Sequence, residues 1–290
     1  MTAVLAVDFG GTKTALARVD EHGEIAGHCR FPAARSVAES VALVADACAA
    51  ESPVAAVGVI IPGIFTPETG RAWCPNLWGS DEVELQQALE AQVKVPVVID
   101  SDRSGYVLGE AWLGAARGLR HVVFVSIGTG IGVGILSDGA LVRGAHGIAG
   151  AAGWFALDPD WRDVYRDVGC WEAESAGPAI ARLACVQDAA AAVARARAGD
   201  RDALDVLRRA ARYSAMGIAN LISALNPEAV VLGGGLIIGA SELLLDPIRT
   251  EVPRWAQPIA ASRCRIELSQ LGDHAGLLGA ARLALSLDAR

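Results

Sequence analysis

Apolar residues run unbroken from Val4 to Val7, break at Asp8-Phe9-Gly10-Gly11-Thr12-Lys13-Thr14 and resume over residues 15–19, with His22-Gly23 as the next turn signal. That pattern predicts a β-hairpin with a glycine-rich turn. Residues 35–50 carry apolar positions at helical spacing, 54–61 and 95–99 are short β-branched runs of the kind found in buried strands, and 86–92 reads as an intervening helix. A second strand, glycine turn and strand follow at 122–126, 128–132 and 133–136, closed by Asp138-Gly139. Farther along, 201–225 is a long helical pattern and 229–232 a buried strand; Gly233-Gly234-Gly235 forms a loop that opens the next helix, and 277–287 is helical again. Two halves that each begin with strand, glycine turn and strand predict duplicated α/β domains around a cleft. The expected division is an N-terminal α/β domain over 1–115, completed by the C-terminal helix 276–290, and a larger α/β domain over 116–275.

Composition narrows the class. The chain has 290 residues, 52% of them hydrophobic, enough for two modest cores. No run of about 20 apolar residues is free of charges, and no basic region precedes the first apolar stretch, so a cytoplasmic protein is expected, with no membrane partner. A net charge of −8 offers no field to attract a nucleic-acid backbone, so no nucleic-acid partner is expected either. The six cysteines form no CxxC or CxC pair and read as reduced thiols.

Candidate chemistry lies in the glycine loops. Asp8, Gly10, Gly11, Thr12, Lys13 and Thr14 combine backbone N–H groups that can approach an anion with hydroxyls that can bond phosphate oxygens. A carboxylate beside such a loop suits a Mg²⁺ ion shared with a nucleotide; an ordinary tight hairpin is the plainer alternative. Gly128, Thr129 and Gly130, continuing through Ile131-Gly132, lead into a β-branched strand rather than a helix, which disfavours a dinucleotide fingerprint. They also lack the GK[ST] ending of a P-loop. Paired with the first loop they read as a second phosphate clamp, with Thr129 toward the γ-phosphate. Gly233, Gly234 and Gly235 open a helix, where backbone donors and the helix dipole favour phosphate.

Taken in order, these motifs resemble the ROK family of bacterial sugar kinases and sugar-responsive regulators, within the actin, hexokinase and Hsp70 superfamily. The resemblance runs through Pro62-Gly63, Pro75-Asn76-Leu77, Gly144 to Gly150, Asn226-Pro227, Leu271-Gly272-Asp273 and Leu278-Gly279-Ala280-Ala281. It implies a two-domain actin-like ATPase (ribonuclease H-like) α/β fold with ATP and Mg²⁺ in an interdomain cleft. The segment Asp100-Ser101-Asp102 ends a buried strand, and Gly109-Glu110 follow in a helix. An acidic residue after a strand is more often a helix cap than a base; the resemblance makes Asp102 the catalytic base, with Asp100 the competing candidate. It also implies substrate contacts from Gly63, Asn76, Ser101 and Glu172.

The chain departs from the family where the sugar and a structural zinc are held. The family continues Glu-x-Gly-His after Gly150, whereas Ala151, Gly153 and Trp154 stand here. Of the family's CxCGxxGC cluster only Gly169 and Cys170 remain, with Asp163, Tyr165 and Arg166 at the first three positions. No metal site, and no zinc, is expected. Ala151 and Trp154 take away hydrogen-bond partners for ring hydroxyls and add an indole face that can stack on a pyranose or cyclitol ring. The implied activity is an ATP-dependent kinase for a hydroxyl, the primary 6-hydroxyl, of a hexose, an aminosugar such as kanosamine, or a related cyclitol. The alternative is a catalytically silent, regulatory sugar-binding protein. A DNA-binding repressor is disfavoured because the first phosphate loop starts at Asp8. By the same resemblance a homodimer is expected.

Overall fold

The computed structural model describes residues 2–51 and 53–287, and these form two compact units. One comprises the chain up to Gly118, Arg143–Ala149 and the chain from Gln270 onward; the other comprises Leu119–Val142 and Gly150–Ser269. Residues 143–149, which the chain pattern groups with the second half, thus pack with the first.

The first unit begins with β1 (Ala3–Phe9), β2 (Lys13–Asp20), β3 (Ile25–Pro32) and α1 (Val37–Ala50), followed by β4 (Val57–Ile61), β5 (Ile64–Thr66) and β6 (Arg71–Trp73). Next come α2 (Pro75–Trp78), α3 (Leu85–Glu90), β7 (Val97–Ser101) and α4 (Asp102–Leu113). Its sheet runs β3-β2-β1-β4-β7, antiparallel across β1 to β3 and parallel from β1 through β4 to β7. The parallel strands are covered on both faces, which is why β1 and β4 read as unbroken apolar runs rather than alternating ones. By contrast, β3 is exposed along nearly its whole length and carries no alternation. It exists because β2 offers it a hydrogen-bonding edge, so the side-chain pattern does not announce it.

The second unit repeats the plan with β8 (Val122–Ile127), β9 (Ile131–Ser137), β10 (Ala140–Leu141), α5 (Tyr165–Val168), α6 (Cys170–Ser175) and α7 (Gly177–Leu183). It continues with α8 (Ala189–Arg197), α9 (Arg201–Leu225), β11 (Ala229–Gly233), α10 (Gly235–Gly239), α11 (Ser241–Glu251), α12 (Pro258–Arg263) and β12 (Arg265–Leu268). The sheet order β10-β9-β8-β11-β12 has the same succession of antiparallel and parallel pairs as the first. α9 starts where Asp200 accepts the N–H groups of Asp202 and Ala203, and it ends at Asn226 in the left-handed region, just before Pro227. Leu207, Ala211, Ile218 and Ile222 form the stripe that α9 buries.

The last helix, α13 (Ala275–Leu285), returns to the first unit and lies on α4 and β1. It packs backbone to backbone: a methyl on Gly279 would collide with the Gly105 carbonyl. Fully buried Glu110 of α4 ties in the approach to α13, accepting the Leu271 N–H at 3.1 Å as well as the Ala115 N–H at 2.7 Å.

Candidate active site

In the first unit the acidic residues gather at the C-terminal ends of β1 and β7. Ser101 ends β7 as the N-cap of α4, accepting the Ser104 N–H at 3.3 Å, and its hydroxyl lies 3.2 Å from that of Ser104. Its oxygen therefore serves the helix first. Asp102 is the first residue of α4 and its Oδ1 accepts the Arg103 N–H at 2.7 Å. Burial raises the Asp102 carboxyl to about 6, against the pull of the Arg103 charge and N–H. Asp8, near the end of β1, lies against Gly276 in the first turn of α13. Burial, with the negative charges of Asp102 and Asp273 added, lifts Asp8 to about 7 despite Lys13 and Arg30. Half-buried hard-oxygen donors, as Asp8 and Asp102 offer, fit Mg²⁺ brought in with a nucleotide.

Asp100, the rival base, is committed elsewhere. Its Oδ1 takes the Ser101 N–H at 2.7 Å and its Oδ2 takes Arg143 Nε at 2.6 Å. That pair also fastens the 143–149 segment, whose Gly147 lies close against the Phe65 carbonyl of β5. The turn of the first loop is closed by a Gly10 N–H to Lys13 carbonyl bond of 2.8 Å; Gly11, Thr12 and Lys13 are exposed, with Lys13 bonded to Asp273 at 3.3 Å. Gly63 packs on the Trp73 carbonyl and Cys74, and Asn76 sits exposed in α2, its carbonyl accepting from Arg35 at 3.4 Å.

In the second unit, the glycine loops at 128–130 and 233–235 meet. An added Cβ on Gly128 would stand 3.6 Å from the Gly235 nitrogen, and the Gly128 carbonyl accepts the Gly177 N–H at 2.8 Å. Gly234 holds φ 92° with its α-carbon tight against the Ile127 carbonyl, a position that admits only glycine. Together with α7 and α8 these loops line a hollow of about 600 Å³, which Gln187, Asp188 and Leu236 also border. Its size and mostly apolar walls suit a nucleoside. The α7–α8 contribution is missing from the sequence reading, because Gly177-Pro178 and Gln187-Asp188 carry no glycine-loop signature.

Ala151 precedes a single 3-10 turn, 152–154, and the Val133 N–H bonds the Gly150 carbonyl at 2.9 Å, laying this segment along β9. Trp154 is 56% exposed. Glu172 of α6 is half-buried, its proton affinity raised by burial, and its Oε2 accepts the Ile131 N–H at 2.7 Å.

At the positions of the family's cysteine cluster, the Tyr165 hydroxyl and Arg162 both donate to Glu174 Oε1 at 2.7 Å, while Arg209 closes on Oε2. Cys170 is buried in the core and Arg166 faces solvent, so these donors do not fit a tetrahedral zinc. Among the described residues, no group of three or more His, Cys, Asp or Glu is arranged to hold a metal ion. All six cysteines are free thiols, and no described helix is long and apolar enough to cross a membrane.

Known proteins resemble this chain along its length. The model of the ROK family matches residues 4–286. A glucokinase of Streptomyces coelicolor is 32% identical over 99% of each chain. Among solved structures, the ROK hexokinase of Thermus thermophilus superposes with a TM-score of 0.88 at 29% identity, covering 100% of both chains. A ROK family glucokinase of Streptomyces griseus, in complex with glucose and AMPPNP, gives 0.80 at 30% identity, covering 98% of this chain and 99% of that one.

Proposed function

Because the chain belongs to the ROK family and is a phosphotransferase acting on a sugar hydroxyl, we propose that it uses Asp102 to pass the γ-phosphoryl group of ATP to the primary 6-hydroxyl of a hexose, aminosugar or related cyclitol. Its fold is the two-domain actin-like ATPase α/β fold. The observation that carries the residue assignment is the contrast at the end of β7. Asp100 is spent on Arg143, whereas Asp102 opens α4 with a carboxyl lifted to about 6, near the range where a base works best.

In this reading, the acceptor hydroxyl gives its proton to Asp102 Oδ2, Oδ1 being engaged by the Arg103 N–H. The hydroxyl oxygen bonds to the γ-phosphorus as the bond from that phosphorus to the β,γ-bridging oxygen breaks, and ADP leaves. The 128–130 and 233–235 loops and the hollow beside them hold the nucleoside and phosphates of ATP; Gly11, Thr12 and Lys13 supply further phosphate donors, while Gly10, its N–H spent on the Lys13 carbonyl, closes the turn that presents them. Asp8 would hold Mg²⁺, which supplies neutralising charge to the phosphates when bound. By the family resemblance, Gly63, Asn76 and Ser101 of the first unit and Ala151, Trp154 and Glu172 of the second are assigned to sugar recognition. With Ala151 and Trp154 where the family has a carboxylate and an imidazole, an unusual acceptor such as kanosamine or a valiolone-like cyclitol is favoured over plain glucose.

The test is a Mg²⁺-ATP turnover screen over glucose, glucosamine, kanosamine, N-acetylmannosamine and valiolone-like cyclitols. A kcat/KM for an aminosugar or cyclitol at least tenfold above that for glucose is the expected result. Glucose as the best acceptor would overturn the substrate assignment.

A further inference from the structure

The second glycine turn is closed from outside by a carboxylate. Glu172 Oε2 accepts the N–H of Ile131, the residue that directly follows Gly128-Thr129-Gly130, at 2.7 Å. It fits there because two neighbours lack side chains: a methyl on Gly130 would come within 2.8 Å of Oε2 and one on Gly153 within 3.2 Å. A methyl at 130 would require the Glu172 carboxylate to move and one at 153 would crowd it, so glycine at both positions leaves the carboxylate room where it stands. The helix that carries Glu172 is itself fixed two residues farther on, where fully buried Glu174 is held by Arg162, Tyr165 and Arg209. Glu172 thus reaches the turn from an anchored element, and it does so beside Gly153, in the segment that carries Ala151 and Trp154.

Resting on the reading of 128–130 as the phosphate loop of a sugar kinase, we infer that Glu172 is a positioning residue for the phosphoryl donor: its carboxylate pins the turn at Ile131, whose other closure is the Gly128 N–H to Gly130 carbonyl bond of 3.0 Å, so that the backbone N–H groups of Thr129 and Gly130 are presented to the nucleotide phosphates. A loop whose donors are set before the ligand arrives loses less freedom on binding, and the difference appears in nucleotide affinity. A role confined to sugar contact predicts something else, namely an effect on sugar KM with no effect on nucleotide affinity when sugar is absent. What matters here is an oxygen at the right reach, not its charge. An amide oxygen at the same position accepts the Ile131 N–H as well, whereas a carboxylate one methylene shorter cannot reach it.

The experiment measures binding of Mg²⁺-AMPPNP by titration calorimetry, without sugar, to the full chain and to Glu172→Gln, Glu172→Asp and Glu172→Ala. Glu172→Gln is expected to stay within about 3-fold of the wild type. Glu172→Asp and Glu172→Ala are expected to bind about 10-fold more weakly, the loss of one hydrogen bond. Melting curves accompany each variant; if Glu172→Ala does not fold, the Gln and Asp pair decides. Wild-type affinity in Glu172→Asp, or a loss in Glu172→Gln as large as in Glu172→Asp, overturns the inference while leaving the loop assignment standing. A wild-type protein that binds no nucleotide overturns the loop assignment and this inference with it.

Discussion

At the scale of single residues, two carboxylates two positions apart have been given different work by their neighbours. Asp100 is buried and paired with Arg143, and Asp102 is lifted toward neutrality by desolvation. Asp102→Asn keeps the shape and removes the proton acceptor, so kcat is expected to fall about 10²–10⁴-fold while Mg²⁺-AMPPNP still binds. Asp100→Asn should leave kcat within about tenfold and instead cost about 1–3 kcal/mol of stability, as a hydrogen bond to a charged group is weakened. Steady-state kinetics and denaturant melts separate the two; collapse of turnover in Asp100→Asn with near-normal Asp102→Asn would transfer the base to Asp100. The pH profile is a second check. In the proposed mechanism Asp102 acts only when ionised, and its carboxyl is raised to about 6, so kcat/KM should climb with pH up to about 6 and level off above it. A profile flat down to pH ~4 would mean that an unshifted group, or none, limits the rate.

At the scale of elements, the N-terminus of α4 is placed by a helix laid directly on its backbone. Gly279 of α13 meets the Gly105 carbonyl, and Gly109 meets Ala275 from the other side. A methyl at 279 must push the two helices apart, and overpacking of this kind costs about 1–3 kcal/mol. Gly279→Ala should therefore lower the melting temperature by a few degrees and also lower kcat, because α4 carries Asp102 at its first residue. Loss of stability with kcat untouched would show that the helix contact does not set the position of the base. The Glu174 cluster plays the corresponding part in the second unit, where three side-chain donors on one fully buried carboxylate hold α5, α6 and α9 together.

At the scale of the whole molecule, one strand plan is used twice, and specificity is expected to reside in segments added to it. Restoring Glu at 151 and His at 154 together should shift acceptor preference toward glucose by tenfold or more, with KM for ATP within about 3-fold. An ATP defect as large as the sugar effect would contradict the separation of roles. Elemental analysis of the purified chain should find no stoichiometric zinc; about one zinc per chain, lost on unfolding, would show that residues 151–172 are wrongly aligned with the family motif. The glycine turns, both opening hairpins and α9 were legible from the sequence, because they depend on local rules: glycine where backbone must bend or approach, β-branched runs where both faces are covered, apolar spacing of a helix face; Asp102 as base candidate came from the family resemblance, since local rules alone read it as a helix cap. Other features came from pairings between residues far apart in the chain, which no local pattern encodes. β3 has no side-chain alternation because only the β2 edge calls it into being. The partner that occupies Asp100 is Arg143, 43 residues away. The contact of Glu172 with the glycine turn, and the lining of the hollow by α7 and α8, depend on atoms that tertiary packing brings within hydrogen-bond or van der Waals reach.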